Sequence, residues 1–137
     1  MTPEIALQTA LRARLVSSFP LGNLVPASNI LDRNERPNPD PSIIIGEATV
    51  SYDGDTLKRQ RSTVYLDLHI WKEEPSTAGV KAIAGAIRQA LNASKLDLDG
   101  AFHCSNAKIL SMRFLRDPDG ETSHGVVTVE ALVTEPA

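Results

Sequence analysis

The chain has 137 residues, 42% of them hydrophobic, 4% aromatic and 23% charged, with a formal charge of −3. That composition predicts one globular domain over residues 1–137, long enough to bury a core without a disulfide or metal staple. The acidic balance argues against coating nucleic acid with the whole surface, and the single cysteine, Cys104, excludes an internal disulfide and any paired-cysteine zinc site. The opening run MTPEIALQTALRARLV lacks the apolar core of a signal peptide, and no run approaches the roughly 18 apolar residues of a membrane span, so a soluble chain in a cytoplasm-like compartment is expected.

The first segment reads as a helix. Thr2 stands where a cap would, Pro3 suits the first helical position, and Glu4 complements the positive end of the dipole. Leu7, Leu11 and Leu15 recur every four residues, with Ala10 and Val16 beside that stripe. Arg12 and Arg14 lie in the C-terminal half, where positive charge is favoured, and the helix is expected to end before Pro20 and Gly22. Residues 17–41 then read as irregular, although Asn29, Ile30 and Leu31 fit a short strand. In NERPNPDP, Pro37, Pro39 and Pro41 stand at every second position, which removes backbone donors and predicts an extended arm or loop.

SIIIGEATVSYD is rich in β-formers, with contiguous Ile43, Ile44 and Ile45 and looser alternation after Gly46. The polar segment DGDTLKRQR, carrying Lys58, Arg59 and Arg61, reads as a loop or hairpin tip. STVYLDLHIW alternates cleanly: Val64, Leu66, Leu68 and Ile70 point one way, and Thr63, Tyr65, Asp67, His69 and Trp71 the other. A second helix is expected from residues 75–77 to about residue 93, on Val80, Ile83, Ala84, Ile87 and Leu91; Gly79 and Gly85 weaken it, so that either packing holds it or the glycines admit close approach to a sheet. NAKILSMRFLRD alternates again, with Leu110, Met112 and Phe114 on one side. Asp119 followed by Gly120 is a hairpin signal, and the last strand sets Val127, Val129, Ala131 and Val133 on one face. The order α-β-β-α-β-β predicts an α+β fold: a mostly antiparallel four-stranded sheet with two helices on one face, the short segment at 29–31 being an optional extra strand.

No constellation in the sequence requires catalysis. His69, His103 and His124 show no helical ligand spacing, and CxxC, HExxH, GxSxG and a phosphate loop are all missing, so no catalytic residue, cofactor or metal is expected. A nucleophilic pair of Cys104 with a histidine is the remaining enzymatic reading, although a lone cysteine is more often a small buried hydrophobe. Asp53 and Asp55, Asp97 and Asp99, and Asp117 and Asp119 flank glycine or proline and read as turn chemistry rather than calcium loops. Lys58, Arg59 and Arg61 can meet an acidic partner surface or phosphate, or stay solvated. The strongest functional feature is the mixed face of STVYLDLHIW: Tyr65, His69 and Trp71 are large, partly polar and turned from the expected core, as interface aromatics are, unless a helix or the Pro-rich arm covers them.

The run of segments resembles a known family, the tail-completion or tail-terminator proteins of long-tailed bacteriophages and related gene transfer agents. The resemblance covers nearly the whole chain. It rests on the helix with ALRARLVSSF, the Pro-containing approach to PSIIIGEATVSYD, the polar loop before STVYLDLHIW, the helix GVKAIAGAIRQAL and the closing LRDPDGETSHGVVTVEALV. PNPDP stands where the family has a more obvious glycine- or proline-rich approach.

The resemblance implies a structural virion protein and not an enzyme. Such proteins form a ring, commonly of about six subunits, at the head-proximal end of the tail tube. The ring stops tube growth and meets the head-side connector or stopper; DNA only passes through it. The implied partners are further copies of the chain, the tail-tube protein and the connector, with no membrane and no cofactor. The implied place is the head–tail junction of a virion assembled in the bacterial cytoplasm. On this reading the interface candidates are Arg36, Pro37, Pro39, Lys58, Arg59, Arg61, Tyr65, His69 and Trp71. The alternatives are a stopper, a tail-tube subunit, a small enzyme using Cys104 and a histidine, or a phosphate-binding module using Lys58, Arg59 and Arg61.

Overall fold

A four-residue leucine stripe and two strands of alternating apolar residues each leave one greasy surface that needs a partner. The computed structural model shows these surfaces meeting in one layer; it describes residues 2–32, 39–52, 54, 57 and 60–136. The elements are α1 (Pro3–Ser17), α2 (Phe19–Gly22), a 3-10 turn (Ala27–Asn29), β1 (Ile30–Asp32), β2 (Ser42–Tyr52), β3 (Arg61–Glu73), α3 (Ala78–Asn92), β4 (His103–Arg116) and β5 (Thr122–Thr134). The strands lie in the order β1-β2-β3-β5-β4. β2, β3, β5 and β4 pair antiparallel, whereas β1 runs parallel to β2.

The fold is α+β as expected, but the sheet has five strands and is mixed, not four-stranded. The added strand is the three-residue segment at the sheet edge, where Ile30 pairs with Ile43 and is itself buried. A third α-helix is also added. α1 ends at Ser17, before Pro20 as expected; Pro20 then falls in the first turn of α2, because its fixed φ suits that position and the Ser18 hydroxyl accepts a hydrogen bond from the Leu21 N–H at 3.4 Å. Thr2 holds the N-cap position of α1 through its carbonyl, which accepts from the Ala6 N–H; its side chain makes no capping bond.

α1 and α3 cover one face of the sheet. Leu7, Leu11 and Leu15 of α1, with Val80, Ile83, Ala84, Ile87 and Leu91 of α3, pack on Val64, Leu66, Leu68 and Ile70 of β3 and on Val127, Val129, Ala131 and Val133 of β5, all buried. Gly85 is exposed with open space around it, whereas a Cβ at Gly79 would stand 2.5 Å from Lys72 Cδ and 2.7 Å from Glu74 Oε2. At Gly79 the missing side chain therefore admits Lys72 of β3 against the first turn of α3, whereas Gly85 brings nothing close; apolar packing holds the rest of the helix.

Register slips in β4 and β2 shift which side chains share a face. In β4 the register slips between Ile109 and Ser111, so that Leu110 is an extra residue, 48% exposed, while Met112 and Phe114 pack on the core. Leu110 therefore does not share a side with Met112 and Phe114. In β2 the slip falls between Ile45 and Ala48, at Gly46 and Glu47, which accounts for the loose alternation after Gly46. The β4–β5 turn follows its sequence: Gly120 has φ +74°, and the Asp119 carboxylate accepts from the Glu121 and Thr122 N–H groups and the Thr122 hydroxyl.

Candidate functional site

Side chains alternate along a strand, so a sheet covered by helices on one face presents every second residue on the other. Tyr65, Asp67, His69 and Trp71 of β3 lie on that open face, beside their cross-strand partners Glu130, Thr128, Val126 and His124 of β5 and, one strand further, Lys108, Ser111, Arg113 and Leu115 of β4. Tyr65, His69, Trp71 and His124 are all half-buried. Adjacent polar side chains are tied across strands: the Thr128 hydroxyl donates to Asp67 Oδ1 at 2.6 Å, and Lys108 Nζ lies 3.8 Å from Glu130 Oε1.

A line of rings runs over this face. Trp71 and His124 stack with centroids 3.8 Å apart and planes at 6°, and His124 stacks on His69 at 5.1 Å. His69 Nδ1 meets His124 Nε2 at 2.8 Å, and His69 Nε2 meets Glu47 Oε1 at 2.6 Å. Gly46 is what lets the histidine lie there. A Cβ at that position would stand 2.6 Å from His69 Cδ2, inside any real contact. The bulge then carries Glu47 to the edge of the imidazole. Hydrogen bonds from its own backbone N–H and from His69 hold the Glu47 carboxyl below the usual glutamate range.

Burial pushes the pKa of His124 down to about 4, with His69 and Arg113 adding to the effect and Asp117 and Glu47 opposing it. The folded state thus prefers the neutral ring, while the unfolded chain takes up a proton near the model-peptide value of about 6.5. The stability held by neutral His124 is complete above pH about 6.5 and is lost as pH falls toward 4. With part of the ring solvated, the expected loss is about 2 kcal/mol. Urea titrations of chelator-treated protein at pH 7.5 and 5, with His124→Phe as the non-titrating control, test it. An undiminished loss in the control would assign the effect to other groups.

The predicted interface residues do not form one cluster. Tyr65, His69 and Trp71 share the open face. Pro39 is partly exposed at the Trp71 end, where the neighbouring Asp40 Oδ1 accepts from the Glu73 N–H at 2.7 Å. Arg61 is exposed at the other end of β3, opposite Thr134 and roughly 30 Å from Trp71 at strand rise. Arg36, Pro37, Lys58 and Arg59 lie outside the described residues. No helix or strand among the described residues lies over the open face. Sequence reading missed Glu47 as a member of the site, because a strand without a bulge would have carried it elsewhere; the glycine before it was the available signal.

The Cys104 reading fails on geometry. Cys104 is 2% exposed and points into the core, and burial pushes its thiol up. His103 faces away from it and approaches Lys95 Nζ at 3.4 Å. Among the described residues no histidine is bonded to the sulfur, so no activated thiolate is formed.

Comparison with known proteins agrees with this architecture. The family profile described as Tail completion protein gp17 matches residues 9–134. Tail completion protein gp17 of Bacillus phage SPP1 is 27% identical over 124 residues, which covers 90% of this chain and 89% of that protein. Among solved structures, a chain from the virion of a native gene transfer agent particle superposes with a TM-score of 0.82 at 20% identity, covering 96% of both chains. The gp17 protein of bacteriophage SPP1 superposes with a TM-score of 0.60 at 25% identity, over 93% of this chain and 88% of that one. With a profile that runs from α1 through the last residue of β5, the chain belongs to the tail completion protein gp17 family, which makes it a structural component of a virion tail and not an enzyme.

Proposed function

We propose that this chain forms a ring, of about six copies, at the head-proximal end of the tail tube, where it ends tube growth and joins the tail to the head-side connector. It would assemble in the bacterial cytoplasm and reside at the head–tail junction. The observation that carries the reading is the open sheet face: a single-sided sheet leaves Tyr65, Trp71, His124 and Leu115 without a covering layer among the described residues. Half-buried aromatics of this kind are enriched where proteins meet. A head-to-tail ring needs two different complementary patches on each subunit. Phe19, 80% exposed on α2, and the neighbouring Leu24, 39% exposed, supply a second apolar patch on the helical side. Pro39 with Arg36 and Pro37, and Arg61 with Lys58 and Arg59, are assigned to contacts with the adjacent subunit or the tube. The charge of −3 lets DNA pass a lumen without being trapped.

Native mass spectrometry over a wide concentration range, with negative-stain images of the same samples, tests the proposal. A closed ring without filaments is the expected result. Trp71→Ala and Tyr65→Ala should each raise the concentration needed for the ring by at least 10-fold, as loss of an interface anchor worth about 1.4 kcal/mol or more does. Long filaments would make the chain a tube subunit, and a monomer at every concentration would remove self-assembly.

A further inference from the structure

Where β2 bulges against β3, three donor side chains of two chemical kinds converge. One donor atom from each of Glu47, Asp67 and His69 lies within 4.8 Å of the other two. We propose that these three side chains form a binding site for a zinc-class divalent cation, one ion per chain. The proposal is independent of ring formation.

The spacing is close to what such an ion needs. A tetrahedral ion with bonds of about 2.0–2.1 Å holds its donors roughly 3.3–3.5 Å apart, which side-chain rotation alone can supply here. The backbone is already arranged for it. Asp67 and His69 project from alternate positions of one strand, and the bulge turns Glu47 in from the next; the absent side chain of Gly46 leaves the imidazole its place.

The donors are also held from behind. Metal-bound imidazoles almost always engage their other ring nitrogen, and metal-bound carboxylates are themselves hydrogen-bonded. His69 offers Nε2 to the carboxylates while its Nδ1 meets His124 Nε2 at 2.8 Å, and the stack on Trp71 fixes His124. Asp67 Oδ1 accepts from the Thr128 hydroxyl at 2.6 Å. Binding at Nε2 places the ring hydrogen of His69 on Nδ1, where His124 Nε2 accepts it.

Electrostatics points the same way. Two carboxylates facing one imidazole leave an excess of negative charge that a divalent cation balances. The mixed nitrogen and oxygen donors select a borderline ion such as Zn²⁺. Ca²⁺, which takes about 6–8 oxygen ligands, and Mg²⁺, which keeps its waters, fit poorly. Three protein donors leave one position of a tetrahedral ion to water.

Isothermal titration calorimetry of the untagged full-length chain, stripped with chelator, tests the site with ZnCl2, MgCl2 and CaCl2. Zn²⁺ should bind saturably at one ion per chain, and the other two should give no binding heat. Glu47→Gln and His69→Gln should each weaken Zn²⁺ at least 10-fold. Thr128→Val, which touches no ion, should weaken it by a smaller factor through loss of the Asp67 hydrogen bond. Glu47 is exposed, with its side chain 70% accessible, so its variant tests the site even if replacement of His69 unfolds the chain. Absence of saturable Zn²⁺ binding would overturn the proposal, as would unchanged binding in Glu47→Gln, which would place the ion on other groups.

Discussion

Truncating Leu68 to alanine is expected to lower folding stability by about 3–4 kcal/mol. Leu68 is completely buried in the middle strand, between Ile45 of β2 and Val127 of β5, with the helices packed over it. The neighbours are held by the sheet ladder on both sides and cannot collapse into the vacated space, so the cavity cost adds to the lost transfer energy. The same truncation at Leu110, half-exposed at the β4 bulge, should cost under about 1 kcal/mol. Urea unfolding followed by the fluorescence of Trp71, the only tryptophan, measures both. Equal losses at the two leucines would put Leu110 in the core and refute the register across the bulge.

Arg14→Ala should cost about 2–3 kcal/mol, far more than the loss of an ordinary surface arginine. α3 ends at Asn92 and is followed by Ala93, which keeps helical dihedrals, so no left-handed glycine satisfies the last carbonyls. Arg14 satisfies them from the other helix. Its Nη1 donates to the carbonyls of Ala90 at 2.9 Å, Leu91 at 3.3 Å and Ser94 at 3.1 Å, and its Nη2 donates to the Ser94 hydroxyl and the Lys95 carbonyl, both at 3.0 Å. The guanidinium also sits at the negative end of the helix dipole. Lysine, a point charge with a single nitrogen, should recover less than half of the loss. Amide exchange should show the last turn of α3 opening in Arg14→Ala while β3 and β5 keep their protection. Unchanged stability would mean that water replaces the cap without cost.

The two arginines of α1 show how far a sequence reading reaches. Their place near the helix C-terminus suggested support of their own helix. Instead Arg14 caps α3, and Arg12 Nε donates to the Ile30 carbonyl at 3.0 Å, fastening α1 to the start of β1. The reading of charge against the nearest dipole was sound chemistry applied to the wrong partner, since a long side chain reaches whatever the fold brings beside it.

The sequence by itself determined what a short period encodes. The leucine stripe of α1, the clean alternation of β3, the apolar face of β5 and the turn at Asp119 and Gly120 each repeat within a few residues, so local sterics and burial suffice to specify them. The same alternation placed Tyr65, His69 and Trp71 on the face away from the core, and the order of elements resembled the family to which the chain belongs. Only the tertiary structure decided the parallel pairing of β1, the bulges that move Leu110 out and Glu47 in, and the meeting of His69 with Glu47 and His124. Those partners stand 22 and 55 residues away in the chain, and Arg14 finds Ala90 across 76. At such separations the contact is set by strand order and register, which the whole core fixes together and no local pattern encodes.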